Sequence, residues 1–85
     1  GISYGFIEAR DIFREPLKTG AAKIILVHNH PSGDPTPSNS DINLTKKIYE
    51  MGEIFNIELV DHIIIGDGVF YSFKRAGRMP CDLDR

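Results

Sequence analysis

The stretch from Lys23 to Asp41, K-I-I-L-V-H-N-H-P-S-G-D-P-T-P-S-N-S-D, leaves this chain few ways to fold. Lys23 to Val27 is a short apolar run rich in β-branched residues, the pattern of a buried strand. His28 and His30 prolong it. Pro31 to Pro37 hold Pro31, Gly33, Pro35 and Pro37, so they cannot continue a strand and must form a loop. Ser38 and Asp41 then make an S-x-x-D pair ahead of an apolar-periodic segment, a capping box with Asp in place of the usual Glu or Gln. Side chains at i and i+2 of a strand share a face. Both imidazoles therefore converge while Asn29 turns away, and Asp41 lies in the first turn of the next helix. The loop folds strand end and helix start together.

Two imidazoles, a carboxylate and a hydroxyl so arranged form a suitable donor set for a hydrolytic zinc ion, which takes three protein ligands and keeps a position for water. His28, His30 and Asp41 are the candidate ligands, with Ser38 beside them. Each element also has a plainer use: two histidines can simply end a strand, and Ser38 with Asp41 can simply cap a helix. Their joint placement makes the metal reading specific. Asp34 is a rival ligand, but it sits in S-G-D-P, a strong turn signal, and reads as a turn residue.

The rest of the chain supplies a frame. Glu8 to Lys18 reads as a helix with Ile12, Phe13 and Leu17 on its apolar side. Pro16 is awkward there, because an interior proline removes a hydrogen bond and clashes with the preceding turn: three readings are open, a kink, a stop, or Pro16 in the first turn of a later piece, and Thr19-Gly20 ends the segment. Ile42 to about Phe55 is a second helix with a stripe of Ile42, Leu44, Ile48, Met51, Ile54 and Phe55, and Asn56 is its candidate C-cap. Ile57 to Ile65 is a second apolar strand. Gly66-Asp67-Gly68 is a hairpin turn, and Val69 to Phe73 is the antiparallel partner. Asp61 and His62 interrupt the second strand. His62 is either a fourth metal ligand or, more usually for a lone core histidine, a hydrogen-bonded structural residue. Asp61 either orients a ligand imidazole or fills an ordinary polar role.

Known metal motifs can be compared with this pattern. HNH nucleases spread their three named residues along a ββα unit. Metallo-β-lactamase-like hydrolases follow H-x-H with D-H, where this chain has Pro31-Ser32. Amidohydrolases need a barrel of about 250 residues. The spacing H-x-H-x7-S-x2-D at 28–41 resembles the JAMM (JAB/MPN) metalloprotease signature. H-N-H-P-S-G-D-P-T-P-S at 28–38, D-H-I-I-I-G at 61–66, Y-S-F at 71–73 and R-D-I-F at 10–13 are similar to the bacterial RadC family, over nearly the whole chain.

That resemblance implies a mixed-sheet α-β-α sandwich of the cytidine-deaminase-like JAMM type. It implies Zn2+ held by His28, His30 and Asp41, with Ser38 stabilising the oxyanion. It implies a peptidase or isopeptidase acting on a peptide or protein substrate, with an upstream Glu as general base on the water that zinc activates. Gly1-Ile2-Ser3 resembles the family just after the strand that carries this Glu. The expectation is therefore a single domain over 1–85, the C-terminal part of a longer protein, lacking its N-terminal strands. Glu8 is then the first carboxylate available as base, although its plainer use is as a first-turn acid favoured by the helix dipole. Absent strands would leave a sheet edge that a second copy could pair as a homodimer. The alternative is a metal-binding scaffold or interaction domain, associated with DNA repair, without peptidase activity.

Composition narrows these readings. Eighty-five residues at 41% hydrophobic and 26% charged suit one small globular domain. No apolar run approaches the ~20 residues of a membrane span, and no secretory signal is evident. Cys81 is the only cysteine and excludes an internal disulfide, which fits a cytoplasmic location. A net charge of −2 does not support DNA contact. Lys46, Lys47, Lys74, Arg75 and Arg78 read as solvated surface.

Overall fold

The structure is a computed structural model that describes residues 8–83. Its elements run α1 (Ala9–Thr19), β1 (Lys23–Asn29), α2 (Asn39–Phe55), β2 (Glu58–Ile65), β3 (Phe70–Ser72) and α3 (Pro80–Leu83). The three strands form one sheet in the order β1-β2-β3, with β1 parallel to β2 and β3 antiparallel to it. Parallel strands need a long crossover, and α2 supplies it. This is the mixed α/β arrangement the sequence led to. Gly1-Ile2-Ser3, on which the expectation of absent strands rests, lies outside the described residues.

One irregularity sets the orientation of the sheet's polar residues. Ile24 pairs with Leu59, but Ile25 pairs with Asp61, so Val60 is the extra residue of a bulge. Beyond the bulge, Leu26 pairs with His62 and His28 with Ile64. The inner face thus carries Ile24, Leu26 and His28 beside Leu59, His62 and Ile64. Asp61 turns to the outer face. A regular register would exchange Asp61 and His62, because a slip of one residue flips every side chain.

The core lies between the inner face and the helices. It joins Ala9 and Phe13 of α1, Ile48 of α2, Leu59 and Ile64 of β2, and Ile57, Phe73 and Met79 from the connections. The buried positions of α2 are Asp41, Thr45, Ile48 and Gly52, spaced to form one helical stripe. The stripe is polar at its N-terminal end. At its other end Gly52 lies against β2's approach, where a Cβ would overlap the Ile57 carbonyl oxygen. Ile54, expected on the apolar stripe, is 77% exposed, and Leu17 of α1 is 50% exposed. Both fall outside the narrow faces the helices present to the core.

Helix α1 does not stop at Pro16. It continues one turn past the proline and ends at Gly20, which takes the left-handed conformation. Because Pro16 sits in the last turn, its carbonyl is used at the helix terminus, where Ala21 N–H donates to it at 2.9 Å. Asn56 caps α2 in the same left-handed conformation, as its sequence position suggested. Phe13 of α1 meets Phe55 of α2 edge-on, with ring centroids 5.1 Å apart. The opposite sheet face carries Ile25, Val27, Ile65 and Phe70, all exposed among the described residues. No described helix is long and apolar enough to cross a membrane.

Candidate metal centre

Strand β1 carries His28 and the chain immediately after it carries His30. The His30 N–H donates to the Ile65 carbonyl at 2.9 Å, which extends the β1–β2 ladder by one residue and fixes the backbone under the second imidazole. Pro31 to Pro37 then turn the chain. Gly33 N–H donates to the His30 carbonyl, and Asp67 N–H donates to the Gly33 carbonyl at 2.8 Å, seating the loop on the β2–β3 turn. Gly66 makes that seat close: a Cβ there would overlap the Gly33 carbonyl oxygen. At the far end of the loop Ser38 caps α2. Its hydroxyl accepts from Asp41 N–H, while its own N–H donates to the Asp41 carboxylate at 2.8 Å, completing the capping box.

These constraints bring His28, His30 and Asp41 together, with ligand atoms within 4.8 Å of one another. His28 Nε2 faces Asp41 Oδ1 at 3.0 Å and His30 Nε2 faces Oδ2 at 3.0 Å. An ionised carboxylate only accepts. A positive species must therefore lie between it and the rings: a proton on each facing nitrogen, or one cation shared by all three residues. The donor set fits such a cation, since two imidazole nitrogens and a carboxylate oxygen suit a first-row divalent metal.

The surroundings prepare the ligands. Burial is the largest influence on the Asp41 carboxyl and opposes its ionisation. The Ser38 N–H and hydroxyl and the two imidazoles together outweigh burial and hold the group below its ordinary range. Asp41 is thus poised as the anion a metal needs. His30 Nδ1 lies 2.9 Å from the Asp34 carbonyl oxygen. A carbonyl cannot donate, so Nδ1 carries the proton there. Asp34 itself is the turn residue its sequence context indicated: its carboxylate accepts from the Thr36 hydroxyl and N–H at 2.7 and 3.0 Å, which hold it below its ordinary range.

His28 is backed differently. Its Nδ1 lies 2.9 Å from Nε2 of His62, and His62 Nδ1 lies 2.6 Å from the Thr45 hydroxyl. His62 is fully buried and stacks on Phe73 with parallel rings 4.9 Å apart. Burial first, then the neighbouring His28, pushes its pKa down to about 4, so it is neutral near pH 7. His62 lies behind a candidate ligand and is a hydrogen-bonded core residue. Asp61 orients no imidazole. On the outer face it accepts from the Ser72 hydroxyl at 2.5 Å, from Lys74 N–H at 2.9 Å and from His62 N–H at 2.7 Å, tying β2 to the turn after β3. Thr45 was missed in the sequence; its only signal there is its position four residues after Asp41.

Glu8 is exposed at the N-cap of α1 and makes no side-chain cap. Among the described residues no hydrogen bond or ion pair joins it to the cluster. The helix-terminal role is the one its position supports.

The family comparison matches residues 1–78 to the RadC-like JAB domain. A UPF0758 protein of Clostridium acetobutylicum is 51% identical over 76 residues, covering 89% of this chain and 33% of its own length. A UPF0758 protein of a Geobacillus species is 53% identical over 76 residues, covering 89% and 34%. One from Halalkalibacterium halodurans is 46% identical over 79 residues, covering 93% and 34%. The chain thus spans about a third of the length of the curated relatives it matches. It belongs to the RadC-like JAB domain family.

Proposed function

We propose that this RadC-like JAB domain binds zinc through His28, His30 and Asp41 and serves a peptidase or isopeptidase reaction on a peptide or protein substrate. The observation that carries the reading is the pair of 3.0 Å approaches of two imidazole nitrogens to the two oxygens of one ionised carboxylate. Zinc and ferrous iron both accept two imidazoles and a carboxylate; the likeness of H-x-H-x7-S-x2-D to the JAMM signature selects zinc. Zinc in such a site activates water near neutral pH and polarises a carbonyl.

The chain's own residues do the positioning. Ser38 N–H and the capping of α2 hold Asp41 with its oxygens toward the two rings. The Ser38 hydroxyl accepts from Asp41 N–H at 3.2 Å and donates to Asp41 Oδ2 at 2.9 Å. Its single proton can turn to a developing oxyanion while Ser38 N–H still holds Oδ2. Removal of one such donor costs about 10²–10³-fold in rate where the role is established.

A second reading is a metal-binding domain without hydrolytic activity. It draws on the make-up of the cluster, which among the described residues holds one carboxylate, Asp41, and no second one to act as base. Metal analysis by plasma mass spectrometry tests the part common to both readings. The expected result is near one zinc per chain, lost in His28→Ala/Asp41→Ala; absence of zinc after reconstitution would reject both. Peptide hydrolysis by the longer proteins that contain this domain, compared with their Ser38→Ala equivalents, then separates the two.

A further inference from the structure

We propose that His62 and Thr45 are positioning residues that present His28 to the metal, as a hydrogen-bonded relay whose direction reverses when metal binds. The inference rests on the metal reading above and concerns residues that reading does not use.

The argument is a proton inventory. A metal taken by His28 at Nε2, the nitrogen that faces Asp41, leaves the neutral ring with its proton at Nδ1. That nitrogen lies 2.9 Å from His62 Nε2, which must then accept. A neutral His62 that accepts at Nε2 carries its proton at Nδ1 and donates to Thr45 Oγ1, 2.6 Å away. The Thr45 hydroxyl must send its own proton elsewhere, and the Asp41 carbonyl oxygen lies 2.7 Å from it. Every polar atom of the relay is satisfied, and it ends on the backbone of the third ligand. No alternative partner is needed, and no buried side-chain N or O among the described residues is left without one.

In metal-free protein with His28 and His62 neutral, the Asp41 oxygen calls for a proton on His28 Nε2. His28 Nδ1 then accepts from His62 Nε2–H, and Thr45 turns its hydroxyl to His62 Nδ1. Passing between the two states, His28 Nε2 gives a proton to water and His62 Nε2 gives one to His28 Nδ1. Thr45 gives one to His62 Nδ1, and water restores the hydroxyl. Neither ring changes charge. Parallel stacking on Phe73 holds the His62 plane through the exchange, and only the threonine has to rotate.

The test uses the 85-residue chain with histidine nitrogens labelled, read by long-range proton–nitrogen correlation at pH 8 with chelator and then with zinc ion. The expected result is that zinc moves the His62 proton from Nε2 to Nδ1 and leaves His28 protonated at Nδ1. Zinc bound at His28 and His30 with the His62 tautomer unchanged overturns the relay and leaves the metal reading standing. No zinc response at His28 or His30 overturns the metal reading and the relay with it. Zinc affinity by chelator competition supplies the second arm. Thr45→Val removes the hydroxyl and weakens binding about 10–100-fold, the range for lost outer partners of a ligand. Thr45→Ser keeps the hydroxyl and restores it. Equal affinity of the Val and Ser variants would overturn the proposal.

Discussion

His28 and His30 are two residues apart and face the same carboxylate, yet they are braced by opposite means. Behind His28 stand side chains of the core: His62, fully buried, and Thr45, 2% exposed. Behind His30 stands one backbone carbonyl, that of Asp34, in an exposed loop. The first brace is set by the packing of α2 on β2 and cannot move without disturbing the core. The second is set by local turn chemistry and by the seat of the loop on Gly66. The cluster therefore joins a rigid half to an adjustable half, and Asp41 bonds to both. Substitutions behind His28 should act through the core, whereas substitutions in the loop behind His30 should leave His62 and Thr45 in place.

The largest test removes both halves. His28→Ala/Asp41→Ala is expected to abolish stoichiometric zinc, read by metal analysis after dialysis. Retained metal would place the site elsewhere. Acid should next separate the halves. His62 titrates at about 4 in the folded chain against an ordinary 6.5, so between those values the unfolded chain binds a proton that the folded chain refuses. Stability of the metal-free protein then falls as pH drops from about 6.5 to about 4, by on the order of 3 kcal/mol. Asp41, also lowered, adds a loss of the same sign as pH falls through its folded value. Urea unfolding at pH 7 and pH 4.5 reads the slope. His62→Phe should flatten it, and an unchanged slope would remove His62 as its source.

Gly66→Ala acts on the loop half. The added methyl meets the Gly33 carbonyl oxygen and Pro35 Cδ, so the loop must lift. Overpacking of this kind costs about 1–3 kcal/mol. The expected signature is a lower Tm and weaker zinc binding, with His30 resonances displaced while those of His62 stay in place. Displacement of His62 as well would mean the two halves are not separable.

Much of this centre was legible in the chain because it is local. The i, i+2 histidines, the proline-rich loop and the capping box each depend on neighbours within a few residues, and their spacing places the cluster. The signals that failed depend on tertiary register. Asp61-His62 offered two polar residues for one inward position, and only the bulge at Val60 decides that His62 takes it. Thr45 is an unremarkable helix residue until α2 lies on β2 with its polar end over His62. Pro16 leaves the end of α1 open in the sequence, because its missing N–H argues for a stop there while Thr19-Gly20 argues for an end one turn later, and the helix takes the second. Leu17 and Ile54 show the converse: helical periodicity allowed them a place on the apolar side, but the packed face is narrower than the stripe.

The smallest effect is expected at Asp34, where the two braces differ most. The His30 proton goes to the Asp34 backbone carbonyl, while the Asp34 carboxylate is engaged with Thr36 in the same exposed loop. Asp34→Ala keeps the carbonyl and removes only the turn bonds. Gly33 and Pro35 still constrain the loop, and the contact of Gly33 with Asp67 still seats it. Zinc affinity should therefore change by no more than about twofold, as for an ordinary surface substitution. A tenfold loss, comparable to that of Thr45→Val, would mean that the loop holds its imidazole as tightly as the core holds the other, and the division into rigid and adjustable halves would fail.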